Sequence, residues 1–136
     1  MDRGITPSAI GNRAEAAVAS ALVRYGRGVY HPAFGSDSRV DLIYMEGART
    51  VRVQCKTAYR IGDTLRFLTC SRTANIARDY VGQVDEFGVY SPATGLVYLV
   101  PIEGLPLTQC LLRLSPTRNG QAAGVRWARD YELGQP

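Results

Sequence analysis

Lysine and histidine are almost missing from this chain: Lys56 and His31 stand alone, against fifteen arginines. The three cysteines, Cys55, Cys70 and Cys110, are widely spaced and odd in number. With one histidine they lack the paired short spacings of a structural zinc site, so they read as small buried thiols in a reducing compartment. No run of about 18 apolar residues occurs, which argues against a transmembrane helix. The opening Met1-Asp2-Arg3-Gly4 lacks the basic-then-apolar pattern of a signal peptide, and a cytoplasmic protein is expected. Internal repeats, low-complexity tracts and obvious linkers are also missing. The 136 residues are enough for one core and not two, so a single domain over residues 1–136 is expected.

What is present is positive charge. The net charge is +4 and the pI about 9.2, which suits a polyanionic partner without specifying one. Arginine matches phosphate with a bidentate fork, although GC-rich codon usage gives the same bias. The surviving lysine is the more pointed observation. A site that needs a compact ammonium beside a reacting group does not accept a planar guanidinium. Apolar residues make up 46% of the chain, enough to fold it.

A helix is expected from about Ser8 to Arg24, capped by Thr6 or Ser8, with Pro7 suited to a first turn and Gly26 and Gly28 ending it. Ile10, Ala14, Val18, Ala21, Leu22 and Tyr25 form its apolar stripe. Glu15 lies three and seven residues before Val18 and Leu22, at the margin of the buried face. Strand signals follow at Val29–His31, Arg39–Met45 and Thr50–Thr57, with a polar loop at Gly35–Ser38 and a hairpin turn at Glu46–Arg49. Leu65–Thr69 reads as a third strand of this meander. Ser71–Gln83 reads as loop or short helix. Phe87–Tyr90 and Val97–Val100 are apolar runs joined by a turn at Pro92–Gly95. The tail offers a strand at Leu111–Leu114, a turn at Arg118–Gly120 and a last run at Val125–Tyr131. One helix, a mixed sheet and a small β-rich C-terminal part make the class α/β, or α+β.

Side chains two apart share a face of a strand, so Val51, Val53 and Cys55 point one way and Arg52, Gln54 and Lys56 the other. Gln54 and Lys56 are then neighbours, roughly 7 Å apart. A hairpin brings Asp41, the acid inside Val40-Asp41-Leu42-Ile43, close to both. An aspartate is unfavourable in a strand and costly if buried unpaired. The plain alternative is the solvent side of an ordinary hairpin. Glu15 has a plain alternative too, an ion pair with Arg13 or Arg39. His31 reads as a strand-end histidine, and Tyr80, Asp85 and Asp130 read as structural.

Asp41, then Gln54-Cys55-Lys56, with Glu15 on an upstream helix, resembles the core of the PD-(D/E)xK nucleases. More closely, the chain is similar to the group I intron-associated PD-(D/E)xK homing endonucleases. The similarity runs through Gly11–Ala16, Val40–Leu42, Val51–Thr57, Val97–Pro101, Arg118–Gln121 and Arg126–Leu133. It departs from the general pattern at Val40, where the motif name has proline, and at Gln54, where most of these nucleases carry an acid. The intron-associated group is similar in having glutamine there. The resemblance implies a restriction-endonuclease-like core and a Mg²⁺-dependent endonuclease acting on double-stranded DNA, with Mn²⁺ as a possible substitute. It implies catalytic roles for Glu15, Asp41, Gln54 and Lys56. Asp41, Gln54, the Cys55 carbonyl and Glu15 would hold the metal. Lys56 would neutralise charge on the phosphate. Arg72, Arg78 and Arg118, with Ser71 and Thr73, are candidate DNA contacts. A homo-oligomer, dimer or tetramer, is expected, because one copy covers little DNA. A Holliday-junction resolvase and a catalytically inactive DNA-binding module of the same fold remain the alternatives.

Overall fold

Thr6 starts the helix: its Oγ1 accepts from the N–H of Ala9 at 3.1 Å, satisfying one of the donors a helix N-terminus leaves unpaired. In the computed structural model, which describes residues 4–35, 38–116, 119–120 and 123–134, helix α1 runs Pro7–Arg24. Ala14, Val18 and Leu22 are its buried residues, the centre of the apolar stripe expected from the sequence. No helix among the described residues is long and apolar enough to cross a membrane.

Three sheets follow. The main one has the order β1 (Val29–Tyr30), β2 (Leu42–Glu46), β3 (Arg49–Thr57), β8 (Glu86–Ser91), β9 (Leu96–Pro101). It is mixed: β3 and β8 are parallel and the other neighbours antiparallel. The β2–β3 hairpin closes on the Glu46–Arg49 pair around Gly47 and Ala48, with Gly47 at φ 61° as a two-residue turn requires. The second sheet has the order β10 (Gln109–Arg113), β5 (Thr64–Leu68), β4 (Tyr59–Ile61). The third is the ribbon β6 (Ser71–Thr73) and β7 (Ile76–Arg78). One helix over a mixed sheet, with further β-structure, is an α+β fold.

The main sheet carries a core on each face. Toward α1 lie Val18, Leu22, Leu42, Tyr44, Val51, Val53, Cys55 and Val97. Toward the second sheet lie Leu65, Phe67, Tyr80, Phe87, Val89, Tyr98, Val100 and Leu112. Val51, Val53 and Cys55 are buried while Arg52, Gln54 and Lys56 are only part-buried, as the alternation of β3 requires. Gly88, paired with Cys55, lets the helix come close: a Cβ there would meet Val18 Cγ1 at 2.7 Å. The three cysteines are buried free thiols, and burial pushes the Cys110 thiol up to about 11.

Several sequence expectations are corrected. Leu65–Thr69 does not continue the meander. Its strand, β5, lies in the second sheet, and the third partner of the meander is β8, running parallel to β3. Ser71–Gln83 is neither loop nor helix through its first half but the β6–β7 hairpin. Its turn residues Ala74 and Asn75 both have positive φ, 51° and 65°, so no glycine announces it. The last run, Val125–Tyr131, forms no strand among the described residues: Trp127 makes a single bridge to Arg113 of β10, a short 3-10 turn follows at Ala128–Asp130, and Glu132 just beyond it makes a single bridge to Tyr98 of β9. The strand expected at Arg39–Met45 begins only at Leu42, which places Asp41 before it.

Candidate active site

Asp41 sits where the β2–β3 pairing slips. Its N–H donates to the carbonyl of Val53 at 2.9 Å, although Val53 is already opposite Leu42. Two residues therefore face one, the arrangement of a β-bulge, which re-aims side chains and ends a ladder. The consequence shows in the packing. Val40 packs with the core on the second-sheet side and Leu42 with the core under α1, whereas a regular strand would put both on one face. Beyond the slip, the Asp41 carboxylate replaces the lost backbone partner: Oδ2 accepts from the N–H of Cys55 at 2.8 Å. Asp85 plays the matching part on the other edge of β3. Its Oδ2 accepts from the N–H of Arg52 at 2.9 Å, and its Oδ1 bridges the Arg52 guanidinium at 3.0 Å.

An open cavity of about 300 Å³ lies in front of Asp41, lined by Asn12, Glu15, His31, Pro32, Gly35, Ser38 and Val40. Glu15 reaches it from α1 and His31 from the end of β1. Burial raises the Asp41 carboxyl from its ordinary 3.8 to about 6, and the nearby charge of Glu15 adds to the rise. The Cys55 N–H, Lys56 and His31 all oppose it. The structure thus brings Glu15, Asp41 and His31 around one cavity, with Lys56 within electrostatic reach. Among the described residues, no three His, Cys, Asp or Glu side chains converge tightly enough to form a ready cage for a metal. The available donors are two carboxylates, with the Gln54 amide and the Cys55 carbonyl beside them. Gln54 is part-buried and turns its Nε2 toward the Cys55 carbonyl at 3.5 Å.

Lys56 lies at the far end of β3. Its Nζ donates to the Tyr80 hydroxyl at 3.1 Å and to the Cys70 carbonyl at 3.5 Å. It also stands 4.7 Å from the centre of the Tyr80 ring. The Arg39 guanidinium stacks on the same ring at 3.6 Å. Burial would raise the Tyr80 phenol, but hydrogen bonding and charge from Arg39 and Lys56 outweigh it and hold the phenol below its ordinary value. Arg39 is engaged here and not with Glu15. Arg72 and Thr73 are exposed on β6, Arg78 is exposed on β7, and Ser71 is part-buried at the root of the hairpin. Arg118 lies outside the described residues.

Sequence reasoning set aside His31 and Tyr80 as structural and considered Arg39 only as an ion-pair partner. The structure puts all three beside the candidate residues. His31 was reachable from the sequence: the hairpin logic that brings Asp41 to Gln54 extends to β1, where Tyr30 pairs with Ile43. Tyr80 was not, because its position depends on the unannounced β6–β7 hairpin. Asn12, which also lines the cavity, entered the sequence reading only within the stretch Gly11–Ala16.

A family model described as PD-(D/E)XK endonuclease matches residues 5–134. Among solved structures, the chain is similar to the bacterial homing endonuclease I-Ssp6803I. The TM-score is 0.74 at 17% identity, over 94% of this chain and 89% of that one. No curated protein matches the sequence.

Proposed function

The chain belongs to the PD-(D/E)XK endonuclease family, and from that premise we propose that it is a Mg²⁺-dependent endonuclease that cuts double-stranded DNA at a specific site, in the manner of a homing enzyme. One observation carries the reading most directly. A desolvated carboxylate, Asp41, is anchored by the N–H of Cys55 and faces a second acid, Glu15, across an open cavity. Two acids placed together without a full complement of positive charge are a poor arrangement for a protein and a good one for a divalent cation.

The donor set suits a hard cation that prefers oxygen. Asp41 and Glu15 would supply carboxylate oxygens and Gln54 its amide oxygen. Strand geometry turns the Cys55 carbonyl toward the same edge as its N–H, the edge that the β2 backbone leaves at Asp41. The ion, when bound, supplies an acidified water and a polarised phosphate. The chain's own residues do the rest. Cys55 N–H fixes the rotamer of Asp41. Lys56 holds a positive charge at the end of β3 for the phosphate whose charge grows in the transition state. The exposed Arg72 and Arg78, with Ser71 and Thr73, offer the β6–β7 hairpin to the DNA backbone, and a two-stranded ribbon fits a major groove. One small chain covers little of a long target, so a homo-oligomer, dimer or tetramer, is part of the proposal.

The test is a cleavage assay of the purified chain with Mg²⁺, Mn²⁺, Ca²⁺ or EDTA on duplex, four-way-junction and single-stranded DNA, alongside light scattering. Cutting of one duplex site that stops in EDTA supports the reading. Junction cutting without sequence preference would make the protein a resolvase. DNA binding without cutting in any metal would make it an inactive module. For the hairpin, Arg72→Ala and Arg78→Ala should each weaken binding about equally across sequences and lower the salt slope by about one unit. An unchanged slope, read from affinities between low and moderate salt, removes that arginine from the footprint.

A further inference from the structure

The two groups that hold Lys56 flank a single element. Cys70, whose carbonyl accepts from Nζ at 3.5 Å, immediately precedes β6. Tyr80, whose hydroxyl accepts at 3.1 Å, follows β7 by two residues. The only lysine side chain is therefore gripped between the two feet of the β6–β7 hairpin. Arg39 binds those feet together. Its Nη1 donates to the Asp79 carbonyl and to Gln83 Oε1. Its Nη2 donates to Ser71 Oγ at 2.9 Å and to the Arg78 carbonyl at 3.2 Å. The same guanidinium lies over the Tyr80 ring, with Cζ 3.6 Å from its centroid. Behind it, the Tyr80 ring meets Phe87 of the core edge-on, with centroids 5.5 Å apart. Phe87 is fully buried, so the ring is backed by a surface that cannot yield.

Tyr80 is thus fixed from both sides, and its hydroxyl is aimed at Lys56. A purely structural tyrosine in this place needs no partner so exacting. Two cations converging on one ring is a costly arrangement, since the charges repel across it, and the fold maintains it with four hydrogen bonds from one arginine. We infer that Tyr80, clamped by Arg39, is the positioning residue for Lys56, and that the β6–β7 hairpin is the arm through which engagement of DNA sets the lysine. The inference rests on the nuclease reading above. The role assigned to both residues is positioning and not contact with the reacting phosphate. Each acts through the place it gives the ammonium, where a displacement of about 1 Å is enough to cost much of the rate.

The experiment measures single-turnover cleavage of duplex DNA in Mg²⁺ by the full chain, with affinity measured separately in Ca²⁺. Tyr80→Phe keeps the ring under Arg39 and its contact with Phe87, and removes the oxygen that receives Lys56 and also interacts with Arg39. It should slow cleavage by about tenfold or more while affinity stays within about twofold. In a Lys56→Ala background the same change should cost nothing further, because a residue that acts through Lys56 has nothing left to act on. Arg39→Ala should slow cleavage in the same way, again only where Lys56 is present. Cleavage by Tyr80→Phe at the wild-type rate overturns the inference, and so does a full additional loss in the Lys56→Ala background. A second readout needs no activity. Lys56 is the only lysine, so its ammonium gives one assignable side-chain nitrogen signal, which should lose exchange protection in Tyr80→Phe. Identical spectra for both proteins also overturn the inference. Absence of cutting by the wild-type chain counts against the nuclease reading instead, and the ammonium signal still decides whether Tyr80 holds the lysine.

Discussion

Asp41→Asn is expected to leave the protein bound to DNA and unable to cut it, and to make the metal-free protein more stable above pH 6. The two effects share one cause. Asparagine keeps an oxygen for the Cys55 N–H, so the bulge and the end of the β2–β3 ladder are preserved. It removes the negative charge, and with it most of the pull on a divalent cation. The stability effect follows from linkage. Burial first, then Glu15, holds the folded carboxyl near 6, above its ordinary 3.8. Below the lower value the group is neutral in the folded and unfolded chains alike, and its full contribution is present. As pH rises toward and through 6, the unfolded chain ionises freely while the folded one resists, so stability is lost across that window. The shift corresponds to roughly 3 kcal/mol at 1.36 kcal/mol per unit, and partial solvent screening brings the expected effect to about 1–2 kcal/mol. Urea unfolding in EDTA at pH 3.5, 6 and 8 should show the wild type close to Asp41→Asn at the lowest value and falling behind it at the two higher ones. Saturating Mg²⁺ should then restore the wild type and leave the variant unchanged. Parallel pH profiles for the two proteins would show that the carboxylate is not strained, and full cutting in EDTA would end the metal mechanism.

The site was legible in the sequence to the extent that it depends on local periodicity. The helix with Glu15 at its buried margin, and β3 with Gln54 and Lys56 on one face, follow from 3.6- and 2-residue patterns, which the backbone imposes at short range. Asp41 was singled out as an acid inside an apolar run, and the sequence placed it in the wrong local structure. An acid inside an apolar run signals a special position, but a bulge leaves no composition of its own, so a strand through Arg39 was the natural reading. The second sheet was invisible for a different reason. Leu65–Thr69 and the following segments carry strand propensity, and propensity is silent on which strand pairs with which. The parallel β3–β8 pair, separated by about thirty residues of chain, is a tertiary choice settled by both cores together. The β6–β7 hairpin escaped because its turn uses Ala74 and Asn75 where glycine would have been the signal. Once that hairpin was missed, the partners of Lys56 could not be seen, since both stand at its feet.

Lys56 offers the larger kinetic prediction, and its surroundings decide how the substitutions should differ. Lys56→Ala should lower the single-turnover cleavage rate by about a hundredfold or more, each tenfold corresponding to about 1.4 kcal/mol of lost transition-state stabilisation. Ground-state affinity in Ca²⁺ should change far less, because phosphate binding is shared among many arginines. Lys56→Arg keeps the charge but cannot keep the place. The Tyr80 face is already taken by the Arg39 guanidinium at 3.6 Å, and the Tyr80 hydroxyl and Cys70 carbonyl lie on either side of a compact ammonium. A planar guanidinium would have to push one of these aside and would bring a second delocalised cation against the first. Lys56→Arg should therefore remain slower than wild type by about tenfold or more, even though the net charge is unchanged. That ordering, wild type above Arg and Arg above Ala, separates a positioned ammonium from mere positive potential, under which Lys56→Arg would cut as well as the wild type. It also accounts for one lysine persisting in a chain whose other fifteen cations are arginine. Cleavage by Lys56→Ala at the wild-type rate would move the active site away from the end of β3 altogether.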